Sequence, residues 1–167
     1  MRGCRVWHGR GYTDSLAAPG PSLGLIDVKR VAELAHSHGA IVVADNTFLS
    51  PSLLRPLSLG VDIVIHSATK YLCGHGGSLG GAIISNEETA VRIRHGRNIY
   101  GGVLSPFNAF MILRGLQTLS IRMAKHSEIA MQVASFLSDH PNVSFVSYPG
   151  LHTHPDYALA VSMLNAE

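Results

Sequence analysis

Residues 61–84, VDIVIHSATKYLCGHGGSLGGAII, decide the reading of this 167-residue chain. An apolar run of strand type (residues 61–65) leads directly into His66, Ser67, Ala68, Thr69 and Lys70. A glycine-rich segment follows, and then a second apolar run at residues 80–85. Lysine is almost never fully buried unless it is paired or reacted, and hydroxyl groups beside a core need partners. Lys70 therefore needs a reason that packing alone does not supply.

Upstream, Ile41-Val42-Val43-Ala44 is a second strand candidate without alternation, as suits a strand covered on both faces in a parallel sheet. It ends at Asp45-Asn46-Thr47. Before it, Asp27 reads as the N-cap of a helix of about 12 residues, VKRVAELAHSHG. Val28, Val31, Ala32, Leu34 and Ala35 share one face of that helix, and Gly39 stops it. A helix, a short loop, a buried strand and polar residues at the strand's carboxyl end make the α/β pattern. Ligands of open α/β sheets sit outside those carboxyl ends. Asp45 thus either serves a ligand or caps the following loop.

Further along, residues 50–59 read as a short connection broken by Pro51 and Pro56 and closed by Gly60. A helix begins near Asn86, and Ser105-Pro106 is a strong start for another. From Phe107 to Leu137 the pattern stays helical through Phe110, Met111, Leu113, Leu116, Leu119, Met123, Ile129, Val133 and Phe136, with Gly115 and Ser120 able to divide it. Residues 143–148 read as a strand. Residues 1–20 carry four glycines and neither period, and read as loop-like.

Composition narrows the classes of function. A hydrophobic fraction of 46% argues for a globular protein rather than a disordered one. Net charge is +2 with histidine neutral, which gives no basic face for nucleic acid or anionic lipid. The apolar runs are too short to span a bilayer, and no secretory signal follows Met1. Cys4 and Cys73 lack any framework spacing, as in reduced thiols of a cytoplasmic protein. His152 and His154 have no further ligands at useful spacing, so no metal site is expected.

Three chemistries compete for Lys70. The run of residues 74–81 has neither GxxxxGK[ST] nor GxGxxG and precedes a strand, so phosphate cradling there is the weaker reading and a tight turn the better one. A structural lysine snorkelling from the sheet end is the second reading. The third is a Schiff-base lysine for a carbonyl cofactor. That chemistry needs an amine at a strand end, hydroxyl donors for a phosphate and a carboxylate for a pyridinium nitrogen. Lys70, Ser67, Thr69 and Asp45 supply this set from two strand ends.

VVADNTFLSP (42–51), LGVDIVIHSATKYLCGHGGSLGGAII (59–84), LSPFNAFMILRGLQTLSIRMAKH (104–126) and YPGLHTHP (148–155) resemble successive signature segments of the Cys/Met-metabolism pyridoxal-phosphate enzymes. This is the cystathionine γ-synthase-like family, with cystathionine lyases, methionine γ-lyase and O-acyl-homoserine sulfhydrylases. The similarity runs in order from Pro21 to Leu159. It implies that Lys70 of SATK is the Schiff-base residue and catalytic proton shuttle. It also implies that Asp45 of DNTF pairs with the pyridinium nitrogen, and that Ser67 and Thr69 bind the phosphate of pyridoxal 5'-phosphate. The implied function is a lyase or transferase of sulfur amino-acid metabolism, acting on an amino-acid substrate by β/γ-elimination or γ-replacement. GHGGSLGG resembles the O-acetylhomoserine sulfhydrylase branch more than the GHSD form of the lyases, which favours γ-replacement on an O-acylated homoserine. Self-association is implied too, since family members are homo-oligomers.

The resemblance also has gaps. Gly20 stands where the family has an asparagine on the cofactor ring, and Leu16 where it has an acid. The family's N-terminal portion and most of its C-terminal domain have no counterpart here, and residues 1–19 match nothing in it. The expected fold is a fragment of the pyridoxal-phosphate fold-type-I large domain, α/β with a mostly parallel sheet and helices on both faces, followed by a long linking helix and the start of the small domain. The expected division is an unmatched stretch (1–20), part of the cofactor-binding domain (21–103), linking helices (104–140) and the opening of the small domain (141–167). The alternative is a truncated, catalytically inactive fragment that binds cofactor weakly or only associates with other subunits.

Overall fold

Five strands form one sheet, in the order β1 (Cys4–Arg5), β2 (Tyr12–Leu16), β3 (Ile41–Asp45), β4 (Ile63–Ser67) and β5 (Gly81–Ser85). The computed structural model describes residues 4–5, 12–16 and 24–164. β2, β3 and β4 run parallel, whereas β1 joins β2 and β5 joins β4 antiparallel. Strand β2 lies in the stretch read from sequence as loop. Its pairing with β3 is non-local, and the local pattern of Tyr12–Leu16 carries no alternation that would reveal it.

Helix α1 (Val28–Ser37) begins where Asp27 accepts a 3.0 Å hydrogen bond from the backbone N–H of Arg30. It ends before Gly39, whose φ of +69° favours glycine. Val28, Ala32 and Ala35 are buried, but Leu34, expected on the same face, is 60% exposed. The buried face packs with Val42, Ala44 and Val64 of β3 and β4 and with Leu54 and Val61. Asp62 links this layer to the sheet: its Oδ2 accepts from the backbone N–H of Val42 at 2.7 Å and lies 2.9 Å from His36 Nε2.

Residues 50–59 form α2 (Ser50–Leu53) and a 3-10 turn at Pro56–Leu59. Asn86 caps α3 (Glu87–Tyr100) and Ser105 caps α4 (Pro106–Leu116), each through a side-chain oxygen accepting an N–H three residues on. The long helical pattern divides after Gly115, giving α4 and α5 (Leu119–Ser138). Of the apolar residues that set this helical pattern, Leu119 and Met123 are buried, while Phe110, Leu113 and Phe136 are more than half exposed. Helical period identifies a stripe, but burial requires a surface laid over it. Residues 143–148 form no strand; the described sheet ends at β5, before α4 begins. Helix α6 (Tyr157–Met163) returns to the sheet, where Met163 packs on the α1 core and Asp156 accepts from the N–H of Leu25 at 2.9 Å. No described helix is long and apolar enough to cross a membrane.

Candidate active site

The site follows from how β3 and β4 end. Asp45 lies opposite Ile65 in the parallel ladder, and Ser67 lies two residues further along β4 on the same face as Ile65. Asp45 and Ser67 therefore share one sheet face, opposite the face that α1 covers. This face is partly open, since Ile65 and its neighbour Ile83 are both exposed.

Asp45 serves the loop and leaves capacity over. Its Oδ1 accepts from the backbone N–H of Thr47 at 2.9 Å, an Asx turn that caps the loop. Its other oxygen takes no hydrogen bond from a described residue, and the side chain is exposed. Ser67 is half-buried, and its hydroxyl has no partner among the described residues. Lys70 is exposed, with no carboxylate paired to its amine among the described residues. Thr69 is the exception: its hydroxyl donates to the carbonyl of Gly80 at 3.4 Å and accepts from the Gly80 N–H at 3.2 Å. Three of the four residues singled out from sequence thus hold free polar capacity, and Thr69 is engaged in bracing the strand that follows.

Further residues shape the site without having stood out in the sequence. Thr47 is buried, and its Oγ1 accepts a 2.7 Å bond from the N–H of Ser67, joining the two strand ends. Asn46 is buried and donates through Nδ2 to the carbonyls of Ser50 and Leu54, while its Oδ1 is buried without a partner among the described residues. Ser50, fully buried, has φ +56°, a left-handed conformation that costs a non-glycine residue about 1 kcal/mol. The signal for Asn46 and Thr47 was their place beside Asp45 at a strand end, but which group each would meet depends on the neighbouring strand.

His66 faces away from Ser67, on the side of the sheet that α1 covers, and is buried. Burial holds its imidazole below the ordinary value of 6.5, against the smaller opposing effects of the Asp45 carboxylate and a hydrogen bond to the Asn46 backbone. Its Nδ1 has no partner among the described residues.

The glycine-rich run is exposed at residues 74–77 and packs closely at its end. A Cβ on Gly80 would lie 2.8 Å from Ile112 Cδ1 of α4. Ser78 donates to the carbonyl of Asn108 at 3.3 Å, and Asn108 donates back to the carbonyl of Leu79 at 3.3 Å. A hollow of about 660 Å³ opens between β5 and α3, lined in part by Ile83, Arg94, Arg97 and Leu104; it includes none of the four site residues. Among the described residues no group of three or more His, Cys, Asp or Glu side chains is arranged to hold a metal. The donor set fits a phosphorylated aldehyde of the pyridine type: a free amine, a free hydroxyl and a carboxylate oxygen at two adjacent strand ends.

Comparison with known proteins agrees with this chemistry. Over 142 residues the chain is 48% identical to a cystathionine beta-lyase of Coxiella burnetii, covering 84% of this chain and 37% of that protein. Over 145 residues it is 47% identical to a cystathionine gamma-synthase of Mycobacterium bovis, covering 86% of this chain and 37% of that protein. The fold superposes on the crystal structure of a cystathionine gamma synthase from Xanthomonas oryzae pv. oryzae, in complex with aminoacrylate and cysteine, with a TM-score of 0.90. That match has 41% identity and covers 93% of this chain and 40% of that one. The chain thus spans little more than a third of the length of the curated relatives it matches. The sequence model of the Cys/Met metabolism PLP-dependent enzymes matches residues 12–167, so the match begins within the first 19 residues, where the sequence had shown no likeness. The chain belongs to the family of Cys/Met metabolism PLP-dependent enzymes.

Proposed function

We propose that this chain carries the cofactor-holding centre of a pyridoxal-phosphate-dependent lyase or transferase of sulfur amino-acid metabolism, with Lys70 as its Schiff-base residue. One observation carries the reading: β3 and β4 end side by side in register, with Asp45, Ser67 and the Lys70 turn at one end of the sheet. Residues 21–103 form the cofactor-binding part in this reading, and residues 104–140 link it to residues 141–167.

Bound pyridoxal phosphate supplies an electron-withdrawing ring that takes up the electron pair left when a substrate loses its Cα proton. Lys70 would hold the aldehyde carbon through its ε-amine, and the same amine would move the proton at Cα. The Asp45 oxygen that is not bonded to the Thr47 N–H would hold the proton on the ring nitrogen. The Ser67 hydroxyl would donate to a phosphate oxygen. Thr69 would join it by giving up its long 3.4 Å bond to the Gly80 carbonyl, while the bond from the Gly80 N–H would keep the hydroxyl in place. The substrate is an amino acid, and γ-replacement on an O-acylated homoserine is the favoured reaction, supported by the GHGGSLGG form of the glycine run. Self-association of the chain belongs to the same reading. So does a cytoplasmic location, which fits the free thiol of Cys73.

The test is to add pyridoxal phosphate to the purified chain and record the visible absorbance band of the cofactor–lysine Schiff base. The band is expected in the wild type and absent in Lys70→Ala; no band in the wild type sinks the proposal. Turnover is then assayed with O-acetylhomoserine, cystathionine and methionine. A band without turnover of any of them favours the second reading, a cofactor-binding but inactive chain.

A further inference from the structure

We propose that Arg122, at the start of α5, is the positioning residue of the Lys70 turn. The proposal rests on reading Lys70 as the Schiff-base residue, and adds a residue outside the strand ends that form that site.

The turn after β4 is held internally by three backbone bonds: Lys70 N–H to Ser67 O at 3.1 Å, Cys73 N–H to Ala68 O at 2.9 Å and Gly74 N–H to Lys70 O at 2.8 Å. So short a hydrogen-bonded segment has no stability of its own and takes its place from what it packs against. Apolar packing of Ala68, Leu72 and Cys73 on Ile112 and the bonds between Thr69 and Gly80 supply part of that place, and two contacts from the α4–α5 junction supply more. At Gly115, near the end of α4, an added Cβ would lie 2.1 Å from Cys73 O and 2.5 Å from Leu72 O, so only glycine lets the helix rest on these carbonyls.

The second contact is the Arg122 guanidinium. Its Nη2 donates to Tyr71 O at 2.9 Å and to Gly115 O at 2.8 Å, and its Nε donates to Thr118 Oγ1 at 3.0 Å. One planar cation thus binds the carbonyl of the residue after Lys70, the last turn of α4 and the N-cap residue of α5. The Gly115 carbonyl lies at a helix C-terminus, where a positive charge is favoured.

Gly74 closes the arrangement from the other side. Its φ is +77°, and a Cβ there would lie 2.5 Å from Arg122 Cζ, so the guanidinium lies against the backbone that ends the turn. No carboxylate pairs with Arg122 among the described residues, which leaves its charge directed at backbone carbonyls. A lysine side chain reaches only as accurately as its Cα is held, and Arg122 holds the chain one residue past that Cα.

The experiment combines residue-resolved amide hydrogen exchange with borohydride trapping of pyridoxal phosphate on Lys70, quantified by mass spectrometry, on the full chain. In Arg122→Ala the amides of Lys70, Cys73 and Gly74 are expected to exchange about tenfold faster, while those of Val42–Ala44 in β3 stay as in the wild type. Trapped cofactor per folded molecule is expected to fall about fivefold or more. Arg122→Lys, with a single point donor, recovers part of both. Should Arg122→Ala not fold, Thr118→Val removes the acceptor of Nε, together with a long 3.4 Å bond to the Gly115 carbonyl, and is expected to accelerate exchange at the same turn about two- to threefold. Unchanged exchange at residues 70–74, or acceleration shared equally with β3, overturns the clamp. Trapping that Arg122→Ala leaves unchanged, with the turn loosened, overturns the positioning role alone. A protected turn without any trapping in the wild type overturns the Lys70 reading, and with it the functional half of the proposal.

Discussion

The hydroxyl oxygen of Thr47 accepts a 2.7 Å hydrogen bond from the backbone N–H of Ser67, tying the loop after β3 to the last residue of β4. Thr47 is buried, so no water stands ready to replace the bond. Thr47→Val keeps the shape and removes the acceptor, leaving the Ser67 N–H unsatisfied. We expect a loss of about 1–3 kcal/mol, read as a lower urea midpoint with an unchanged m-value. An unaltered midpoint would mean that this bond does not hold the two strand ends together.

The ends of α1 make a paired prediction. Asp27→Ala removes the acceptor for the Arg30 N–H and should cost about 1 kcal/mol. Gly39→Ala meets nothing within 4 Å, so its cost comes only from the φ of +69°, about 1–2 kcal/mol. Thermal unfolding followed by circular dichroism should show both variants folded with lowered midpoints, and the double variant additive because the sites are far apart.

Gly115→Ala is expected to be worse than either, for a different reason. The new methyl would have to displace the carbonyls of Leu72 and Cys73, which are backbone atoms and cannot rotate away. A loss of about 3 kcal/mol or more follows from forced overpacking against rigid atoms, measurable by chemical denaturation. A variant as stable as the wild type would contradict the close seat of α4 on the Lys70 turn.

Stability should depend on pH through His66. Burial holds its folded-state pKa below the unfolded value of 6.5. The folded protein then binds fewer protons than the unfolded chain as pH falls through 6.5, so this contribution is complete above 6.5 and is lost toward the folded pKa. Urea midpoints from pH 8 down to 5 should fall with a slope of at most about 1.4 kcal/mol per pH unit from this group. In His66→Gln the drop should be smaller; an identical pH profile would remove His66 from the account.

Much of the architecture was legible in local sequence because local rules dictate it. Asp27, Asn86 and Ser105 each announce a helix start through an oxygen that meets the third N–H onward. The β-branched runs at Ile41–Asp45 and Ile63–Ser67 announce buried strands, and Asp45, Ser67, Thr69 and Lys70 stand out because polar groups there follow apolar ones.

What needed the tertiary structure is whatever depends on a partner distant in sequence. Strand β2 exists because β3 lies beside it, whereas residues 143–148 carry strand-like composition without becoming a strand. Phe110 and Phe136 follow the helical period yet remain exposed. The engagement of Thr69 by Gly80, the burial of His66, the Thr47–Ser67 bond and the three contacts of Arg122 all join residues brought together only by folding. Periodicity and turn chemistry determine which way a side chain faces; only packing determines what it meets.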